Sequence, residues 1–311
     1  MSLVSIAALA AAQFESCPLI LAPSDVAGGG LGVYSGRDAP KGKEAYEICP
    51  SIAVPNAGVH GTLLQHYIFG FNDTHSTLSF GLAMMYNHSP EPHLQNQWTT
   101  PAEKKNAPLA GGPPDVAFRP IHRPISKYEE VFDSYGTEQW FEEKGIDFKD
   151  HRPVDATAFA RPAGALPGCG GSDVDVRDWV ALASKAYAVG DIVEVDPGLV
   201  LEASRFRATL LDRFLAPLDE QLSFFLLGKG AIYVGDDNAR GDEPNVDMHF
   251  YPDAALTPIH VAADHRSTKT DQSSHLVAVR ATRPIAPGDK LTLDRAASPF
   301  PFGRLGRGEL L

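Results

Sequence analysis

The chain has 311 residues, enough for one large or two medium domains. It carries 39 acidic against 27 basic residues, a net charge of −12. That balance argues against direct binding to a phosphate backbone and suits cationic partners such as Lys-rich peptides. The three cysteines, Cys17, Cys49 and Cys169, include no CxxC pair, so neither a disulfide framework nor a structural zinc site is expected. A reducing compartment, cytoplasmic or nuclear, fits that usage. The apolar start, Met1 to Ala12, lacks a basic lead and is too short to span a bilayer. It is expected to form a helix packed on a domain, and no later run reaches membrane length.

Along the chain, the first glycine cluster is Gly28–Gly30 with Gly32. Residues 31–36 and 44–54 are rich in β-branched and aromatic side chains between turn signals, so strands are expected there. Ala39-Pro40-Lys41-Gly42 is the turn between them. Residues 59–71 mix helical and strand signals, and 76–86 form a short apolar segment. Residues 97–114 hold four prolines and no periodicity, which predicts a loop. Two short strands follow within 118–132, then a short helix or ordered tail at 140–148. Residues 150–172 are rich in Pro, Gly and Ala and read as a linker. The class is mostly β with short helices.

The second half repeats the first in outline. GRDAPKGKEAYEI at 36–48 resembles SKAYAVGDIVEVD at 184–196. Leu78-Ser79-Phe80 recurs as Leu222-Ser223-Phe224, each followed by a tyrosine, Tyr86 and Tyr233. Glu91-Pro92-His93-Leu94 recurs as Glu243-Pro244-Asn245-Val246, and IHRPISKYEEVF at 121–132 as ATRPIAPGDKLT at 281–292. The blocks keep their order, which implies two copies of one framework. The expected organisation is a domain at 20–148, a linker at 149–174, a degenerate copy at 175–298 and a tail at 299–311.

Three separated motifs lie in the first copy: Gly30-Leu31-Gly32-Val33-Tyr34, then Tyr86-Asn87-His88-Ser89, then Glu129-Glu130-Val131-Phe132-Asp133-Ser134-Tyr135-Gly136. In this order and spacing they resemble the motifs of SET-domain protein lysine methyltransferases, in particular small members without large insertions. The resemblance implies a SET-type β-clip fold, here in tandem, and S-adenosylmethionine as cofactor. It implies that the backbone of Gly30, Leu31 and Gly32 lies against the cofactor, that Asn87 and His88 contact it, and that Tyr135 lines the methyl-transfer channel. An aromatic residue after the last motif, Trp140 or Phe141, stacks on the adenine. The chain departs from the pattern at His93, where Asn is usual, and at Tyr128, where Gly is usual. The second copy departs further. It has no GxG and no His in the second box, where the nearest match is Asn238-Ala239, and Arg295 stands in place of Tyr135.

The implied chemistry has its own requirements. Methyl transfer is an in-line displacement that needs donor and acceptor aligned and water kept out. The Lys amine must be neutral, and removing its proton near pH 7 costs about 4 kcal/mol. A dry channel lowers that cost by disfavouring the ammonium. Tyr135, Tyr86, Tyr67, Phe69, Phe71 and Phe80 supply aromatic material, and Tyr135 is expected to position the amine rather than take its proton. The expected partner is a Lys-containing protein or peptide, with no nucleic acid and no membrane. Two alternatives stand beside this reading: a non-catalytic SET-fold peptide-binding module, and a SET-fold enzyme acting on a small molecule.

Overall fold

The computed structural model describes residues 17–26, 30–144, 153, 158–171, 174–217, 222–235, 243–250 and 274–293. The expected N-terminal helix, the tail, Asn238-Ala239 and Arg295 lie outside the described residues. Short strands dominate, joined by 3-10 turns, and the helices are brief.

Strands β1 (Leu19–Pro23) and β2 (Leu31–Ser35) form an antiparallel hairpin with Leu21 opposite Val33. Every side chain of β2 is buried, so the strand is core from end to end. Strands β3 (Glu47–Cys49) and β4 (Ser51–Pro55) share the stretch read as one strand at 44–54. Pro50 separates them, because it has no N–H to continue a ladder. The mixed signals at 59–71 resolve into helix α1 (Asn56–Val59), a 3-10 turn at Leu63–His66 and strand β5 (Ile68–Gly70). Strand β6 (His75–Ser79) lies between β4 and β5.

Strand β7 is only Asn87–His88, and β8 is Gln95–Trp98. The segment at 97–114, expected to be loop throughout, therefore opens on a strand and also holds a 3-10 turn at Leu109–Gly111. Strand β9 (Val116–Arg119) lies between β3 and β8. Strand β10 (Phe132–Asp133) runs parallel to β7, pairing Phe132 with Asn87 and Asp133 with His88. Helix α2 (Glu138–Lys144) follows.

The linker expectation covers residues that pack on the first half. Leu166 is buried and its N–H donates to Leu21 O at 2.8 Å. Cys169 is disulfide-bonded to Cys17 across a separation of 152 residues. This overturns the expectation of unpaired cysteines. The two residues are remote in sequence, and only the packing of the 3-10 turn at Gly168–Gly171 on β1 brings them together. Cys49 remains a free, buried thiol.

Beyond it, β11 (Val174–Arg177) and β12 (Val180–Ala183) form a second hairpin. A five-stranded sheet contains β13 (Ile192–Glu202), β14 (Ala216–Pro217), β15 (Leu222–Leu226), β16 (Val246–Phe250) and β17 (Ser274–Ala281) in the order β14-β15-β13-β17-β16. Helix α3 (Gly230–Gly235) follows β15. One apolar core runs through both halves. Phe80 lies 4.7 Å from Phe214, 5.7 Å from Trp179 and 6.1 Å from Phe225, between ring centroids. Aromatic burial of this kind dominates packing energetics.

Candidate functional site

The fold brings the three motifs of the first half together. Gly30 turns the chain into β2 with φ of 65°, a conformation that costs a glycine nothing. Two residues on, a Cβ at Gly32 would lie 2.2 Å from Glu130 Oε1. The missing side chain is thus the space that the Glu130 carboxylate occupies. The side-chain space at Gly32 is therefore taken by protein.

Asn87 sits where β7 meets β2 and the third motif. Its amide lies 3.0 Å from Leu31 O, 2.9 Å from Glu130 Oε1 and 3.0 Å from Ser24 Oγ. Glu130 also accepts from the Ser24 hydroxyl at 2.7 Å and from the Asp25 N–H at 3.1 Å. Glu130 is 5% exposed, and a buried carboxylate persists only when its lone pairs are used in this way.

On the other side of β7, the Tyr135 N–H donates to His88 Nδ1 at 3.1 Å. The Tyr135 hydroxyl donates to Tyr86 O at 2.5 Å. Phe141 packs against both, 4.8 Å from the His88 ring and 6.0 Å from the Tyr135 ring, nearly parallel to the latter. His88 and Tyr135 themselves are 5.6 Å apart. The three rings form one aromatic cluster. Trp140 lies in the same helix, and its side chain is outside the described residues.

Burial, together with nearby Asp133, Tyr67 and Glu130, holds the Tyr135 phenol well above its ordinary value. It therefore stays protonated near neutrality and acts as a donor, not a base. Burial pushes Tyr67 up to about 12 and Tyr86 well above the tyrosine range, the latter also beside Glu47. Asp133 is raised to about 6 by burial, against the pull of hydrogen bonds from Ser134 and Asn96.

Sequence reasoning gave no role to several residues that build the site. Glu129 and Glu130 are consecutive in a strand-like segment and therefore face opposite ways, yet both are buried. Glu130 holds Asn87, and Glu129 holds His93. The His93 ring is fully buried; Nδ1 accepts from the Phe132 N–H at 3.2 Å, and Nε2 lies 2.9 Å from Glu129 Oε1. With Nδ1 as acceptor, Nε2 carries the proton and donates to Glu129. Arg123 adds a second bond to Glu129 at 3.1 Å. Two adjacent acids in a strand, followed by an apolar run, were the signal available in the sequence.

Of the aromatic channel expected from the sequence, Tyr86, Tyr67 and Tyr135 lie near one another. Phe80 instead belongs to the core shared with the second half. Phe71 is exposed and packs on Trp98 at 5.9 Å.

No protein-family model and no curated protein matches the chain. Among solved structures, one from Plasmodium falciparum described as a candidate histone methyltransferase is similar. The match has 24% identity and covers 40% of this chain and 96% of that one, with a TM-score of 0.31. A superposition that loose carries no fold assignment of its own.

Proposed function

We propose that the protein is a SET-type, S-adenosylmethionine-dependent methyltransferase acting on the ε-amine of a protein lysine, with its site in the first half. The observation that carries the reading is the convergence of β2, β7 and the 129–136 segment, which puts Asn87 on Glu130 and His88 on Tyr135.

The residues fit the implied cofactor on two counts. The His88, Tyr135 and Phe141 rings offer stacking surface for a planar base. The buried carboxylates of Glu130 and Asp133 favour a cation nearby. His88, Tyr135 and Phe141 would hold the group, with the backbone of Gly30 and Leu31 beside it. Bound there, the group supplies an electrophilic methyl on a sulfonium. The chain's own contribution is positioning and dryness. Tyr135, protonated and anchored on Tyr86 O, orients the incoming amine by hydrogen bonding, and Tyr67 and Tyr86 exclude water around it. Incubation with methyl-labelled cofactor and Lys-rich peptides tests this reading. Label on lysine that is lost with Tyr135→Phe supports it; label on small metabolites alone points to the small-molecule alternative.

We also read the second half as a degenerate copy. The hydrogen bonds supporting this recur in register. Ala39 and Ile125 exchange N–H···O bonds, as do Tyr187 and Ile285. Val131 N–H donates to Val33 O as Leu291 N–H does to Ala181 O. The N–H groups of His93 and Leu94 both donate to Phe132 O, and those of Asn245 and Val246 to Thr292 O. Thr292 N–H donates to Asn245 Oδ1 at 2.8 Å, the bond that Phe132 makes to His93. Tyr128 and Gly288, both at positive φ, take equivalent places. The ladder shifts one sequence match: Phe80 N–H donates to Pro50 O as Leu227 N–H does to Pro197 O, and Ile52 pairs with Leu78 as Leu199 does with Phe225, so Phe225 rather than Leu222 takes the place of Leu78.

A non-catalytic binding module remains the second reading. It is favoured by one observation: the space at Gly32 and the Asn87 amide are both used by protein groups.

A further inference from the structure

The second half contains a buried acidic pair that the methyltransferase reading does not use. Glu194 and Asp196 lie two apart on β13, so they share one face of the strand. Both are fully buried. Among the described residues, neither Glu194 oxygen has a donor in good hydrogen-bonding geometry, nor does Asp196 Oδ1. The other Asp196 oxygen accepts from the Gly230 N–H at 3.2 Å. The Tyr233 hydroxyl, equally buried, faces Glu194 from α3.

A contrast lies on β3. Glu47 is a single acid there; its Oε2 accepts from the Tyr86 hydroxyl at 2.6 Å and its Oε1 from the Leu82 N–H at 3.0 Å. The carboxyl of the first half is satisfied, and the two of the second half are not. Burying unsatisfied carboxylates side by side is costly, so something must neutralise them.

The available space limits what that can be. A Cβ on Gly171 would lie 1.8 Å from Glu194 Oε2, and one on Gly228 would lie 1.8 Å from Asp196 Oδ1. Gly230 presses on both acids, with Asp196 Oδ2 at 2.7 Å and Glu194 Oε1 at 2.9 Å from its added Cβ. On these sides there is no room for a water or for a cation with its own ligand shell. A proton needs no such room.

We infer that Glu194 and Asp196 share a single proton near neutral pH and form a pH-sensitive lock between β13, the 168–171 turn and the 228–230 turn. The charges balance. One proton leaves one negative charge, and Lys229 faces both acids from the 228–230 turn. Lys229 is held in place by donating to Val174 O at 2.6 Å. Among the described residues, the remaining groups around the cluster are Tyr233 on α3, Tyr187 beside it and the Cys49 thiol on β3, which faces Lys229 and Glu47. Burial holds Tyr233 and Cys49 well above their ordinary values, so both stay neutral. Burial, and then the neighbouring acid, raises Glu194 well above the carboxylate range, and burial raises Asp196 to about 6.

The sign follows from linkage. Both folded-state proton affinities are raised, so the unfolded chain binds fewer protons across the titration. The pair's contribution to stability is greatest in acid and falls as pH rises through the folded values. Removing the last proton leaves two charges against glycine backbone, with Lys229 the one cation facing them among the described residues.

The test is thermal unfolding of the full chain from pH 5 to pH 9, for wild type and Glu194→Gln, with and without millimolar Ca2+ or Mg2+. The lock is expected to give Glu194→Gln a Tm a few degrees above wild type at pH 8 and a flatter pH profile. Parallel profiles for the two proteins would overturn it. Stabilisation of wild type by either cation, lost in Glu194→Gln, would overturn it in favour of a cation site. Infrared spectroscopy of wild type is a second measurement that needs no folded variant. A protonated carboxylic acid band persisting at pH 7 is expected, and no such band overturns the proposal. None of these outcomes depends on methyl transfer.

Discussion

The Asn87 side-chain amide lies 2.9 Å from Glu130 Oε1 and 3.0 Å from Leu31 O, tying three chain segments at one point. Gly32 makes that point possible, because any side chain there would overlap Glu130. Gly32→Ala is therefore expected to cost about 1–3 kcal/mol of stability by overpacking. Cofactor binding is expected to weaken with it. Denaturant unfolding beside cofactor titration checks both effects. An unchanged unfolding midpoint would mean that Glu130 has another place to go.

Tyr135 allows a cleaner separation of chemistry from folding. Its hydroxyl donates to a backbone carbonyl, so Tyr135→Phe removes one bond worth about 1 kcal/mol and leaves the ring in place. Methyl transfer is expected to fall by about 100-fold or more, while cofactor affinity changes little. Single-turnover rates and equilibrium binding on the same preparation read the two quantities apart.

His93 departs from the residue usual in the SET motif, and the structure gives it a working equivalent. Its Nδ1 accepts from Phe132 N–H as Asn245 Oδ1 accepts from Thr292 N–H. Replacement by Asn keeps that bond and loses the one to Glu129, for an expected cost of about 1–2 kcal/mol. His93→Ala loses both and leaves a cavity, at about 2–4 kcal/mol. Equal costs for the two variants would contradict this account of the residue.

The three motifs of the candidate site were legible before the fold was known, because each is a short run of distinctive residues. Asn87, His88 and Tyr135 do meet. What could not be read was how their polar groups are used. Glu130 and Ser24 are ordinary surface residues in a sequence; only the crossing of β2 and β7 makes them partners of Asn87. The strand-rich class was visible in the β-branched and aromatic runs, while β7 and β10, two residues each, have no periodicity to find. The Cys17–Cys169 pair was invisible for a different reason. Its spacing reflects where a long segment returns to β1, and no local pattern records that.

Glu129 gives a pH prediction at the acid end. Burial raises it, but hydrogen bonds from His93 and Ser126 and the charge of Arg123 outweigh burial and hold it below its ordinary value. A lowered folded value contributes stability above the unfolded one, near 4.3, that is lost as pH falls through the folded value. Glu129→Gln is expected to lose stability at pH 7 and to show a weaker acid transition below about pH 4. Unfolding curves at pH 3 and pH 7 for both proteins check the sign.

Reduction of the disulfide is expected to cost about 2–5 kcal/mol, because it frees a long loop of the unfolded chain. Cys17→Ser with Cys169→Ser should reproduce the effect. Mass spectrometry without reductant should find the two peptides linked; finding both thiols free in folded protein would contradict the pairing.

The central claim, that the first half holds S-adenosylmethionine, is tested most directly by calorimetric titration of the cofactor into wild type, Phe141→Ala and Glu194→Gln. Phe141 packs on His88 and Tyr135, and Glu194 lies in the second half. The account expects binding in the micromolar range by wild type and by Glu194→Gln, weakened at least about tenfold in Phe141→Ala. No binding by folded wild type, or equal binding by all three proteins, would contradict it.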